Sequence, residues 1–131
     1  MKVLSLTEPC ATLIKEKKKM VETRSWKTTY RGELYIHASS TKIPKDWRED
    51  KEFMSLVKDT PLNYGYIICS CDLVDCIEMT KEFIENVKQN KNEYISGVYA
   101  KGRYAWILKN IEIIENPIKA KGHLGIWNFE E

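Results

Sequence analysis

The run YGYIICSCDLVDCIEM at residues 64–79 is the stretch on which the fold assignment rests. β-branched and aromatic residues dominate it, which predicts one long strand or two strands joined by a bulge. Cys69 and Cys71 alternate along this run, so their side chains share one face of the strand. We therefore expect both to be buried core thiols and not metal ligands.

A second apolar run, YAWIL at residues 104–108, is hydrophobic on both faces and predicts a central strand. Ile111–Ile114 is expected to continue or restart this strand after a polar kink, and Pro117 to break it. Glu33–Ser39 alternates between apolar and polar residues, as a half-buried strand does. Further extended segments are expected at residues 3–6, 21–26 and 122–129.

Helical spacing of apolar residues occurs in three places. It predicts a helix over residues 8–18 with Thr7 as N-cap, a short helix over residues 45–58, and a helix that begins after Thr80. Residues 88–101 are expected to be a connection or an irregular helical segment. Several long strands, few helices and no regular β–α–β alternation predict an α+β domain with a closed or nearly closed barrel.

Length and composition limit the class of protein. A chain of 131 residues fits a single domain over residues 1–131, and 43% hydrophobic with 31% charged residues is typical of a globular protein. No apolar stretch reaches the roughly 18–20 residues that span a bilayer, and the first residues lack the features of a signal peptide. We therefore expect a cytoplasmic protein. The four cysteines and two histidines do not follow metal-site spacing, so no metal or organic cofactor is expected.

Positive charge is concentrated in one segment, although the net charge is only +2. Residues 15–31 are rich in lysine and arginine and contain Trp26 and Tyr30. Basic residues beside aromatic ones are one feature of a nucleic-acid surface. The alternative is a solvated face, and lysines at the end of a helix also suit the negative end of its dipole.

The densest polar group is KMVETRSW at residues 19–26. In an extended segment, Glu22 and Arg24 point to one side, and Thr23 and Ser25 to the other. Glu22 and Arg24 form either a structural ion pair or part of a binding site, where the guanidinium would bond a phosphate or a base edge. A desolvated Lys19 would have a lowered pKa and act as a base or nucleophile. Local spacing does not decide between these roles.

Other candidates lie outside this group. His37 is either a structural histidine or part of a cleft, and Arg103 and Tyr104 offer a second cation and a hydroxyl. Trp26 and Trp106 either fill the core or stack on bases.

Seven segments, in order, resemble the ASCH (activating signal cointegrator homology) domain. They are Leu4-Ser5-Leu6, Pro9-x-Ala11-x-Leu13-Ile14, Lys19-x-x-Glu22-Thr23-Arg24-Ser25-Trp26, and the segments at residues 30–39, 72–76, 102–106 and 121–129. The resemblance implies a PUA-like mixed β-barrel flanked by a few short helices, with a cleft between the barrel and the first helix. It also implies RNA-linked roles, and the chain resembles the stand-alone prokaryotic members.

One branch of the family acts as an amidohydrolase on acetylated cytidine, and another has been described as a ribonuclease. The amidohydrolase motif is Gly-x-Lys-x-x-Thr-x-Arg. Lys19 and Arg24 match its lysine and arginine, whereas Glu22 stands at its threonine and Lys17 at its glycine. The later glutamate of that branch would be Glu82, Glu85 or Glu93.

The sequence therefore predicts a domain that binds RNA or a nucleotide in a basic cleft around Lys19-x-x-Glu22-Thr23-Arg24. The expected binding residues are Lys19, Glu22, Arg24, Ser25, Trp26, His37, Arg103 and Tyr104. The alternative is a hydrolase acting on a modified nucleoside or on RNA, with Lys19 and Glu22 as catalytic residues. A second alternative is a protein-interaction module resembling a coactivator domain. No membrane partner is expected.

Overall fold

The molecule is built around one curled six-stranded sheet, which the computed structural model describes over residues 1–130. The strands are β1 (Lys2–Leu6), β2 (Val21–Arg24), β3 (Gly32–Ala38), β4 (Tyr66–Glu78), β5 (Tyr104–Lys119) and β6 (Ile126–Asn128). The helices are α1 (Cys10–Lys15), α2 (Lys45–Arg48), α3 (Lys51–Ser55), α4 (Lys81–Val87) and α5 (Lys91–Ile95). The strand order is β2-β5-β4-β3-β1-β6, in which β1 and β3 are parallel and the other neighbours antiparallel. This is a half-barrel of the PUA-like type, so the expected α+β class is confirmed.

β4 and β5 form the centre of the sheet, and both follow the sequence expectation in part. β4 is one strand whose pairing with β5 shifts register at three points, as the predicted bulge requires. Contrary to expectation, β5 continues through Pro117. β2 covers only the first four residues of β5, so one edge of β5 is open near Pro117. Proline lacks an N–H group and is tolerated where no partner strand needs one.

Helix α1 begins differently from the sequence expectation. Thr7 is not its N-cap; Pro9 occupies that position and offers no side-chain acceptor. The buried carboxylate of Glu8 serves instead, since it accepts hydrogen bonds from the Thr12 amide at 2.9 Å and the Thr12 hydroxyl at 2.6 Å. It also accepts from the amide of Asn63 at 3.0 Å, which ties the loop before β4 to the start of the helix.

Helix α1 ends at Lys15, three residues before the predicted end. Lys17 has φ of 62°, in the left-handed region that favours glycine. Its amide donates to the Ile14 carbonyl and the Lys18 amide to the Leu13 carbonyl, both at 2.9 Å. This is the Schellman pattern of helix termination, formed here by a lysine where the family motif has glycine.

The predicted helix over residues 45–58 is two short helices, α2 and α3. Asp50 separates them, because its carboxylate accepts from the Phe53 amide at 3.1 Å and so starts a new helix. The cap at Thr80 is confirmed, since its hydroxyl accepts from the Phe83 amide. The segment 88–101 contains α5, capped by Asn90.

The main hydrophobic core lies between α1 and the inner face of the sheet. Cys69 and Cys71 are buried there as free thiols, as predicted. A smaller cluster on the other face contains Val3, Ile67 and Trp127. The helices among residues 1–130 are too short and too polar to cross a bilayer.

Pairing of β1 with β6 brings the two ends of the described chain together. The amide of Phe129 donates to the Met1 carbonyl at 2.9 Å, and the amino group of Met1 donates back to the Phe129 carbonyl at 3.3 Å. Both ends therefore lie at the same edge of the sheet.

Candidate functional site

A cleft of about 450 Å³ opens between α1, the end of β2 and the helices that follow β3 and β4. Its wall consists of Ser5, Leu6, Thr7, Cys10, residues 22–26, Trp47, Asp50, Phe53, residues 95–98 and Arg103. This position, between the sheet and the first helix, is the one that the family resemblance implies. Glu22, Arg24, Ser25, Trp26 and Arg103, all predicted from the sequence as binding residues, meet here.

Glu22 and Arg24 form an ion pair in the wall of the cleft. Strand alternation on β2 places them on the same side, and Oε2 of Glu22 lies 3.0 Å from Nε of Arg24. Nη2 of Arg24 donates to the Ser5 carbonyl at 3.1 Å, and its guanidinium lies 6.0 Å from the centroid of the Trp106 ring. Within the described part of the chain, Nη2 is the hydrogen-bonded nitrogen of this guanidinium. Nε is buried and contacts Glu22 as an ion pair without hydrogen-bond geometry.

Lys19 lies beneath the cleft and not in its wall. Its side chain is fully buried, and Nζ donates to the Ser96 carbonyl at 2.7 Å while lying 4.0 Å from Oε1 of Glu22. The backbone at Gly97 packs closely over Lys19, which a larger residue would prevent. A Cβ at this position would lie 2.8 Å from the Tyr99 ring and 3.4 Å from Nζ of Lys19. In this structure Lys19 therefore supports Glu22 and the segment 95–98, and does not touch the open space.

Among the three glutamates that the resemblance leaves open, Glu93 is the one beside the motif. Its carboxylate accepts from the amides of Met20 at 2.7 Å and Val21 at 3.3 Å, which fixes the entry into β2. Burial raises the pKa of Glu93, and the hydrogen bonds from the two amides oppose this shift. Glu82 and Glu85 are exposed on α4.

Arg103 and Thr23 hold the segment 95–98 over the site. The Thr23 hydroxyl accepts from the Val98 amide at 3.0 Å, and Nε of Arg103 donates to the Val98 carbonyl at 3.1 Å. Nη2 of Arg103 also donates to the Thr23 carbonyl at 3.4 Å. Tyr104 lies outside the cleft, where its hydroxyl donates to the Glu78 carboxylate at 3.4 Å.

Aromatic side chains supply the apolar surface of the cleft. Trp26 is 39% exposed and packs edge-to-face on buried Trp106, with ring centroids 4.8 Å apart. Trp47 packs in the same way on Phe53 at 5.9 Å. Both indoles, that of exposed Trp26 and that of half-buried Trp47, are thus held by a neighbouring ring, and Trp106 fills the core instead of offering its own face.

His37 lies away from the cleft, against the cluster that contains Trp127. Nε2 is 2.7 Å from the Ala120 carbonyl, which can only accept, so Nε2 carries the proton. Nδ1 then accepts from the Ser5 hydroxyl at 2.9 Å, and Ser5 Oγ accepts from the indole of Trp127 at 3.0 Å. These contacts give His37 the structural role that the sequence left as one of two possibilities.

The charge of the cleft wall is balanced. Its cations are Arg24 and Arg103, and its carboxylates are Glu22 and Asp50. The lysines of the basic segment at positions 15, 17, 18 and 27 are not part of the wall. Lys18 instead donates to the Leu56 carbonyl at 2.7 Å, and so links the end of α1 to α3.

Several wall residues were not identified from the sequence. Trp47 and Phe53 belong to the expected helical segment 45–58, where their apolar spacing indicated burial but not the cleft. Gly97 falls in the segment expected to be a connection, and a glycine there is a signal for close packing of the backbone. Cys10 reaches the cleft from α1, and burial raises the pKa of its thiol to about 12.

Comparisons with known proteins agree with this architecture. The family model of the ASCH domain matches residues 4–118. Activating signal cointegrator 1 from Homo sapiens is 30% identical over 134 residues, which cover 97% of this chain and 22% of that protein. The Mus musculus protein of the same name is 29% identical with the same coverage. The chain thus spans about a fifth of the length of these relatives.

Proposed function

Because the chain belongs to the ASCH domain family, we propose that its cleft binds one nucleotide unit, either of RNA or of a free nucleotide. The observation that carries the proposal is the Glu22–Arg24 pair, held at 3.0 Å in a wall that also presents two tryptophans. A nucleobase combines a flat apolar face with hydrogen-bonding edges, and this wall offers a partner for each.

The aromatic side chains provide the stacking surface. Base–aromatic stacking contributes about 1–3 kcal/mol per base and tolerates every base, because every base has a π face. Trp26 and Trp47 are already fixed by Trp106 and Phe53, so little side-chain freedom is lost when a ligand stacks on them.

The ion pair provides the edge contacts. The Glu22 carboxylate accepts from an exocyclic amine, while Nη1 of Arg24 donates to a carbonyl oxygen or a phosphate. The volume of about 450 Å³ lies within the roughly 300–1,000 Å³ typical of small-ligand sites. It therefore suits one nucleoside, and a duplex would not enter.

The test is a binding titration of the purified chain with nucleosides, nucleotides and short single-stranded RNA. Arg24→Ala is expected to weaken binding at least tenfold, the effect of losing one charge-assisted hydrogen bond of about 1.4 kcal/mol or more. Arg31→Ala is the matched control, because Arg31 pairs with Asp75 at 3.7 Å outside the cleft. Equal affinity of the Arg24→Ala and Arg31→Ala variants would rule out the cleft as the binding site.

A hydrolase acting on a modified nucleoside or on RNA is the second candidate. It is favoured by the 4.0 Å distance between Nζ of buried Lys19 and Oε1 of Glu22, which sets a positive charge beside a carboxylate in the cleft wall. Such a carboxylate can accept a proton from an attacking water. Turnover of acetylated cytidine or RNA that is lost in Glu22→Gln, with binding retained, would establish it.

A protein-interaction role is the remaining alternative. It would be favoured if no nucleoside, nucleotide or RNA bound to the wild-type chain.

A further inference from the structure

A second concave surface, here called the side pocket, lies next to the cleft. It is lined by Ser40, Lys42, Ile43, Arg48 and Tyr64, and encloses about 480 Å³. Its charged lining residues are both cations, in contrast to the balanced wall of the cleft. Tyr64 adds an aromatic ring that is 42% exposed.

The two cations of the side pocket are available for a ligand. Within residues 1–130, neither Lys42 nor Arg48 forms an ion pair. Two acidic residues of this region are engaged elsewhere: Glu49 pairs with Lys45 at 3.9 Å, and Glu52 with Lys91 at 2.9 Å.

Helix α2 separates the side pocket from the cleft. Trp47 lines the cleft and Arg48 lines the side pocket, so two consecutive residues, whose Cα atoms are about 3.8 Å apart, face different sites. Asp46 is two positions from Arg48, which on a helix puts it on the opposite side. A ligand that leaves the cleft over α2 therefore reaches a positively charged surface at once.

We propose that the side pocket is a second nucleotide subsite, so that the ligand is a single-stranded RNA that continues from the cleft across α2. Lys42 and Arg48 bind the phosphates that follow the nucleoside held in the cleft, and Tyr64 stacks on the next base. A charged surface that follows the backbone, together with aromatic platforms, is how proteins bind single strands. This inference rests on the proposed function, which it narrows from a nucleotide unit to a strand.

The first experiment compares a nucleoside, its 5′-monophosphate and a short single-stranded RNA as ligands of the full chain over a range of salt concentrations. The variant is Lys42→Gln/Arg48→Gln, and the control is Lys2→Gln/Lys109→Gln. The control removes the same charge from two exposed lysines that line neither site.

The side-pocket variant is expected to bind RNA about tenfold more weakly, with nucleoside affinity unchanged. A plot of log affinity against log salt has a negative slope, and the variant's slope should be shallower by about 1.4. This corresponds to about 0.7 for each of two phosphate contacts to a single strand. The control should keep the wild-type slope. Equal slopes in the two variants would overturn the proposal.

Comparing RNA with the monophosphate shows whether the side pocket binds the phosphates of an RNA strand or the phosphate of a free mononucleotide. The proposal requires RNA to bind more tightly than the monophosphate. If both bind equally, and both depend on Lys42 and Arg48, the side pocket is a site for a mononucleotide phosphate and the proposal is wrong. Loss of nucleoside binding in Arg24→Ala tests the cleft independently of either result.

The tyrosine has its own matched control. Tyr64→Ala is expected to weaken RNA binding severalfold without affecting the nucleoside. Tyr66 is similarly exposed, at 37%, but lines neither site. Tyr66→Ala, with its fold verified by thermal unfolding, should therefore keep RNA affinity within about twofold of wild type. Equal losses in the two variants would exclude stacking on Tyr64.

Discussion

Nε of Arg24 lies 3.0 Å from Oε2 of Glu22, and the two side chains are only 23% and 10% exposed. Arg24→Gln leaves the Glu22 carboxylate without this partner, which should lower the free energy of unfolding by about 2 kcal/mol. The double variant Glu22→Gln/Arg24→Gln should lose less than the sum of the single losses, because the interaction between the two side chains is then lost only once. Lys19 loses its carboxylate neighbour in both variants that carry Glu22→Gln, so this cost cancels from the comparison. Urea denaturation of the four proteins measures this coupling, and strict additivity would contradict it.

The raised pKa of Glu93 makes a prediction about pH. The ordinary value is 4.5, and burial raises it in the folded protein. The unfolded chain therefore releases this proton at lower pH than the folded one. The contribution to stability is fully present below about pH 4.5 and is lost as the pH rises through the folded pKa.

Comparison with Glu93→Gln isolates this contribution, since all other groups titrate in both proteins. The unfolding free energy of wild type minus that of the variant should be largest near pH 4 and decrease toward pH 7. Glu82→Gln, at an exposed position on α4, is the control for the loss of one glutamate carboxyl group. A difference for Glu93 that grows with pH would show that its hydrogen bonds outweigh its burial.

The thiol of Cys10 should be unreactive although it lines the cleft. Desolvation raises its pKa to about 12, and it does the same for Cys69 and Cys71. Cys69 and Cys71 are buried, whereas Cys10 keeps part of its surface exposed. At pH 8 only about one such thiol in ten thousand is ionised, and the thiolate is the reactive form. Iodoacetamide followed by mass spectrometry should leave these three residues unmodified in the native chain and modify them in urea. Rapid native labelling of Cys10 would disprove the prediction.

The left-handed conformation of Lys17 predicts that glycine is more stable than alanine at this position. Lys17→Gly and Lys17→Ala both remove the charge, so their difference reports the backbone alone. With φ at 62°, glycine should be favoured over alanine by about 1 kcal/mol. Thermal or urea unfolding measures the difference, and alanine at least as stable as glycine would count against the Schellman turn described for α1.

Local pattern predicted much of the sheet and the central pair of the site. The period of two along β2 places Glu22 beside Arg24, and the apolar run around Trp106 predicts a central strand. Pro117 was misjudged because its tolerance depends on β2 ending early, which is a property of a distant strand and not of the sequence near the proline.

Contacts distant in sequence were the parts that could not be predicted. Lys19 is buried because the Ser96 carbonyl, 77 positions away, accepts a hydrogen bond from its ammonium group, and because Gly97 leaves room for the backbone to pass. Glu93 meets Met20 across 73 positions. The residue spacing near Lys19 and near Glu93 does not carry this information, because both contacts depend on the path of the chain between β4 and β5.

Adjacency of Met1 and Phe129 has a consequence for protein engineering. The two residues are hydrogen-bonded neighbours, Met1 just before β1 and Phe129 just after β6. Residues 1–130 could therefore be inserted at a single surface turn of a host protein without forcing the flanking host residues far apart. For the same reason a short linker could fuse the ends, and new ends could be opened in the exposed turn near Asp59, to give a circular permutant with the same sheet.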